Sequence, residues 1–132
     1  MPKLTLTAAF AYYGAKLKNV QWASSAIAKD GTLVLSCWHH FLRPIEGVHR
    51  YEDHLSRWPA GHPGRNLLSA HLKLAVKSRL PVRLVLATLK EPKNWESGAA
   101  RPRPKTFSTH GNVLGKVVEF DGNSFAIEFG GL

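Results

Sequence analysis

Residues 46 to 54 hold the chain's one concentration of carboxylates beside imidazoles: Glu46, His49, Glu52, Asp53 and His54. Such a group can hold a divalent cation next to a phosphate or supply a general base, since carboxylate oxygens are hard ligands and imidazole exchanges protons near neutral pH. The implied chemistry is metal-dependent phosphodiester cleavage, with His54, Asp53, His49 and Glu46 as catalytic residues and Mg²⁺ or Mn²⁺ as cofactor. Outside that reading no cofactor is expected. Charges gathered in a loop are also commonly just solvated, and that alternative needs no ligand.

A second constellation concerns binding. The chain has a formal net charge of +9, and the whole excess falls between residues 57 and 105, where only Glu91 and Glu96 oppose a long series of Lys and Arg. Segregated positive charge attracts polyanions. Trp58 and Trp95 lie among these cations, and rings interleaved with cations suit nucleic acid because rings stack on bases while cations meet phosphates. The residues expected to contact nucleic acid are Arg57, Trp58, Arg65, Lys73, Lys77, Arg83, Trp95, Arg101, Arg103 and Lys105. Arg101-Pro102-Arg103-Pro104-Lys105 reads as an extended basic arm, since alternating proline favours a polyproline-like backbone. Each element has a plainer explanation. Lys73, Lys77 and Arg79 fall where cations offset the negative end of a helix dipole, and either tryptophan can be a buried loop anchor.

The other histidines are weaker candidates for chemistry. His39 and His40 are adjacent on an expected strand, so their side chains should point to opposite faces rather than to one ion. His71 falls among Leu67, Leu68, Leu74 and Ala75 on a helical wheel, which predicts a hydrogen-bonded core histidine. Asp53-His54 followed by Gly64, Asn66-Leu67 and His71-Leu72-Lys73 loosely resembles the HNH nuclease pattern. That resemblance implies His54 as the base activating water and His71 as a metal ligand. The spacing departs from the family, because Asn66 to His71 covers less than a turn and a half of helix, and the family's common cysteine knuckles are absent. No glycine-rich phosphate loop is present, and neither the serines nor Cys37 sit in a nucleophile context.

The elements that must position these residues follow from periodicity. Leu6, Phe10, Tyr13 and Leu17 predict a helix over 6 to 17, capped by Thr5 or Thr7. Residues 20 to 28 and 32 to 41 flank Lys29-Asp30-Gly31, a hairpin signal; 116 to 120 and 124 to 129 flank Asp121-Gly122-Asn123, another. A second helix starts near Asn66, its expected cap, and ends before Pro81. The almost wholly apolar run 82 to 89 predicts a central strand covered on both faces. Residues 42 to 65 and 91 to 112 read as long loops. The expected fold is α+β, one small domain over 1 to 132, with a mixed or mainly antiparallel sheet of about five strands (two hairpins plus a central strand) and two flanking helices. In architecture this is similar to base-reading modules such as the PUA-like folds.

At 132 residues with 44% hydrophobic content, the chain suits one core. A single cysteine excludes an internal disulfide and suggests a reducing compartment. The first residues lack a signal peptide's apolar core, and no run is long enough to span a bilayer, so a cytoplasmic protein without a membrane partner is expected. The leading expectation is a nucleic-acid-binding module for DNA or RNA. The alternative is a small metal-dependent nuclease of defence or toxin type built on the His49 to His54 cluster. A third is an adaptor whose basic face meets an acidic protein partner. Strandedness, base preference and oligomeric state are open at this level.

Overall fold

The computed structural model describes residues 4–19, 23–89 and 105–130. They form one α+β domain: α1 (Leu6–Tyr12), β1 (Ser25–Ile27), β2 (Leu33–Trp38), a short 3-10 turn (His39–Phe41), β3 (Leu42–Ile45), β4 (Val48–His54), a second 3-10 turn (Leu55–Arg57), α2 (Pro63–Ser78), β5 (Val82–Leu89), β6 (Lys105–Thr109), β7 (Leu114–Phe120) and β8 (Ser124–Gly130). Eight strands, not about five, make a mixed sheet ordered β1-β2-β5-β7-β8-β4-β3, with β6 also on β5. The β2 and β5 strands are parallel and the other pairs antiparallel.

The extra strands come from the two segments expected to be loops. Within 42–65, β3 and β4 form a hairpin whose turn residues, Glu46 (φ 47°) and Gly47 (φ 85°), are both left-handed, as a tight two-residue hairpin turn requires. Pro44 is tolerated because β3 is an edge strand. The hairpin escapes a hydrophobic-periodicity reading because one of the inward positions of β4 is a carboxylate, Asp53. Within 91–112, β6 occupies 105 to 109 and pairs with the C-terminal half of β5. Residues 91 to 104 lie outside the described part.

The central strand is as expected. Val82, Leu84, Val85 and Ala87 are all buried, so β5 is covered on both faces. On one face Val82 and Leu84 join Leu33, Leu35 and Cys37 of β2, Phe125, Ile127 and Phe129 of β8, and Leu68, Leu72 and Ala75 of α2 in the main core. On the other, Val34 and Val85 pack with Ala9 and Phe10 of α1. The sheet therefore separates the two helices.

Helix boundaries differ locally from expectation. The α1 helix is capped by Thr5, whose Oγ1 accepts from the Ala8 N–H, but it ends at Tyr12, before Gly14 turns the chain at φ 79°. The α2 helix starts before Asn66: His62 is its cap, with Nδ1 accepting from the Gly64 N–H at 3.0 Å and Pro63 in the first turn. Its C-terminus closes on Arg79 in the left-handed conformation. Strand β2 stops at Trp38, so His39 and His40 lie on a 3-10 turn rather than a strand. Among the described residues, no helix is long and apolar enough to cross a membrane.

Candidate functional site

The residues considered for catalysis fall on one hairpin, which divides them. Strand alternation sends His49, Tyr51 and Asp53 to the side of the main core, opposite Phe129, Ile127 and Phe125 of β8. Glu52 and His54 point the other way, and Glu46 sits exposed in the turn. His54 and His49 therefore do not converge. Asp53 is already engaged: only 4% exposed, it accepts from the Arg57 guanidinium at 2.7 to 3.1 Å, from the His54 N–H at 2.8 Å and from the Tyr51 hydroxyl at 3.3 Å. It anchors the turn that leads toward α2. Among the described residues, no three His, Cys, Asp or Glu side chains are grouped so as to hold a metal ion.

The outward side of the same hairpin is occupied by an ion-pair network. The Arg50 guanidinium donates to Glu52, Glu119 and Glu128, and Arg43 adds a second contact to Glu52. These carboxylates hold the Arg50 pKa above the usual guanidinium value, and Arg50, ahead of Arg43, pulls Glu52 below the usual carboxylate range. Glu52, Glu119, Asp121 and His54 rim a shallow pocket of 470 Å³ on this side. Three of those four rim residues are carboxylates, charges of the sign that repels a polyanion.

The residues expected to bind nucleic acid separate into groups. Arg57, Trp58 and Arg65 meet near the start of α2: the Arg57 guanidinium lies 4.1 Å from the centroid of the Trp58 ring, and Arg65 donates to the Trp58 carbonyl at 3.2 Å. Trp58 is half-buried and packs on the main core. One face of its ring thus carries a cation. Lys73 and Lys77 lie on the side of α2 turned from the sheet, in line with Asn66 and Ala70, all exposed. Arg79 follows at the C-terminus, also exposed.

Arg83 alternates with the core residues Val82 and Leu84, so it lies on the α1 face of β5, close to the end of α2 along the chain. It donates to the Gly111 carbonyl at 3.0 Å, 5.9 Å from the Tyr13 ring centroid. Lys105 opens β6 opposite Leu89, at the far end of β5 from Arg83. Trp95, Arg101 and Arg103 lie outside the described residues.

His71 is the core histidine expected. It is half-buried, with Nδ1 at 2.8 Å from Ser25 Oγ on β1, which ties α2 to the sheet edge, and it belongs to no group of three metal-ligating side chains among the described residues. Burial lowers its pKa, and lowers that of His110 as well. For a base whose folded pKa is depressed, the unfolded chain binds more protons, so stability is intact above the unfolded value of 6.5 and is lost as pH falls below it toward the folded value. The melting temperature should drop between pH 7.5 and pH 5.5, and His71→Gln should shrink that drop in paired thermal melts.

The charge distribution over the whole fold was not visible along the chain. Of the described carboxylates, Glu46, Glu52, Asp53, Glu119, Asp121 and Glu128 belong to the β3-β4-β7-β8 half and Asp30 to the β1–β2 turn, whereas α2, β5 and β6 carry none. The sequence signal was the gap in carboxylates between Asp53 and Glu91. Searches against protein-family models, curated proteins and solved structures find no match for this chain.

Proposed function

We propose that this protein is a nucleic-acid-binding module whose phosphate-contacting surface is the outward side of α2, with Lys73, Lys77 and Arg79 meeting the backbone. The observation that carries this reading is the segregation of charge in three dimensions. Arg43, Arg50 and Arg57 are consumed by carboxylates within their own half of the fold, while Lys73, Lys77 and Arg79 have no acidic residue on their helix. Cations on a helix that carries no acidic residue release counterions when they meet phosphates, and this is the main source of sequence-independent affinity. Lys105, which pairs with Leu89 at the far end of β5, adds a further cation.

Labelled single- and double-stranded DNA and RNA, each with and without Mg²⁺ or Mn²⁺, test the reading directly. The expected result is retardation without cleavage, with log affinity falling against log salt at about −0.9 per phosphate neutralised on duplex DNA and about −0.7 on single strands. Absence of retardation by every nucleic acid at low salt overturns it. Metal-dependent cleavage would instead return attention to the His49 to His54 strand.

A further inference from the structure

On the face of the sheet opposite α2, Tyr12, Tyr13, Asp30, Arg83 and Gly111 line a polar pocket of 290 Å³. Its parts are fixed by the fold. The Tyr13 hydroxyl donates to the Leu84 carbonyl at 2.7 Å and accepts from the His110 N–H at 2.8 Å, locking that ring between β5 and the β6–β7 corner. Tyr12 stands edge-on against it, with centroids 5.0 Å apart at 84°, and is 61% exposed. Gly111 runs so close beneath Tyr12 that a Cβ there would stand 2.7 Å from the phenol oxygen. Across the pocket, Asp30 Oδ1 accepts both the N–H and the hydroxyl of Thr32, at 3.0 and 2.7 Å, which orients the carboxylate and leaves Oδ2 without a partner among the described residues. Arg83 is held by one guanidinium nitrogen to Gly111, and no ion pair among the described residues joins it to Asp30.

Arg83 is near enough to help lower the Asp30 pKa, after the Thr32 hydrogen bonds, without forming an ion pair with it. An exposed ring, an oriented carboxylate and a guanidinium in one small pocket call for a ligand that is flat, donates hydrogen bonds and carries an anion. We propose that this pocket takes one unstacked nucleotide of a bound strand whose base bears an exocyclic amine, with the base stacked on Tyr12, the amine donating to Asp30 Oδ2 and the phosphate on Arg83. Each part follows general recognition chemistry: aromatic rings stack on any base, a carboxylate accepts from the amine of cytosine, and guanidinium pairs with phosphate. The volume is at the low end of small-molecule pockets, about 300 to 1,000 Å³, which suits a single nucleotide rather than a longer segment. The inference rests on the nucleic-acid reading above. Arg83 follows Arg79 closely in the chain, but the pocket and the outward side of α2 lie on opposite sides of the sheet, so the pocket is a contact separate from the α2 surface.

Fluorescence anisotropy with labelled ten-residue deoxycytidine and thymidine oligonucleotides, together with competition by free CMP, tests it. Thymine lacks the exocyclic amine. The wild type is expected to bind the cytidine strand about tenfold more tightly than the thymidine strand, the scale of one good base contact. Asp30→Asn should abolish that preference, since the amide keeps the acceptor for Thr32 but offers the base a mixed edge. Tyr12→Ala should weaken both strands by about tenfold, while Tyr12→Phe should bind as the wild type. Both positions are solvent-facing, so thermal melts should show folded variants. Dependence on Tyr12 and Asp30 in the strand assay, with CMP a weak competitor, supports a strand nucleotide; the same dependence for CMP alone would make the ligand a free nucleotide and overturn the strand assignment. No preference in the wild type, or unchanged binding in Tyr12→Ala and Asp30→Asn while salt-dependent strand binding persists, overturns this inference alone. If the wild type binds no strand, the α2 reading falls with it.

Discussion

Arg57→Ala is expected to destabilise the protein by about 3 to 5 kcal/mol, the scale for breaking a buried ion pair from one side. The Asp53 carboxylate is almost wholly buried, and Arg57 supplies three of its contacts. Without the guanidinium, a negative charge stays inside the fold with, among the described residues, the His54 N–H and the Tyr51 hydroxyl to satisfy it. Truncation also removes the cation from the Trp58 ring, where α2 begins. Urea unfolding monitored by tryptophan emission reads the loss as a lower midpoint at unchanged slope. The double variant Arg57→Met with Asp53→Leu should recover much of it, because paired apolar replacements avoid the stranded charge. A midpoint within experimental error of the wild type for Arg57→Ala would show that Asp53 is hydrated rather than held, and would reopen it as a candidate for chemistry.

Lys73→Glu with Lys77→Glu is expected to weaken nucleic-acid binding by about 30-fold or more at moderate salt and to flatten the salt dependence by about two phosphates' worth of slope. Reversal exceeds removal here because the new carboxylates repel the phosphates that the lysines met. Both positions are exposed on the side of α2 turned away from the core, so the change should leave the fold intact. Some loss of helix stability, a few tenths of a kcal/mol per residue, is expected from placing negative charge near the helix C-terminus. Anisotropy titrations over a salt series provide the readout, with Arg43→Glu, on the acidic half of the fold, as the control that should change binding far less. Equal effects from the control and the double variant would mean that net charge alone, not the α2 surface, governs binding.

Much of the fold was legible in the chain because local physics governs it. The central strand announced itself through the run of 82 to 89, apolar but for Arg83 and Thr88, and the last hairpin through Asp121-Gly122-Asn123 between alternating apolar residues. That His71 is hydrogen-bonded and half-buried accords with its place beside Leu68 and Ala75 on the helix. The β3-β4 hairpin was not legible, since its turn uses a non-glycine residue at positive φ and one of its inward positions is filled by an ion pair instead of an apolar side chain. Reading residues 42 to 65 as a loop hid the strand, where alternation drives His49 and His54 apart.

By itself the sequence determined which residue types were present to act: the carboxylate-free basic stretch, the tryptophans among cations, and the absence of a phosphate loop or a cysteine cluster. Composition and spacing suffice for that, because net charge and periodicity are sums over neighbours in the chain. Only the tertiary structure decided which charges were already spent. Arg50 and Arg57 end against carboxylates brought together by β4, β7, β8 and the turn into α2, up to 78 positions apart in the chain. The lysines of α2 face outward with no such partner on their helix. Tyr12, Asp30 and Arg83 are likewise distant in sequence and meet because α1 crosses the sheet where the first hairpin turns and β5 begins. Strand pairing and helix packing act over long sequence separations, so whether a charge is available to a ligand or consumed within the fold is a property of the folded chain alone.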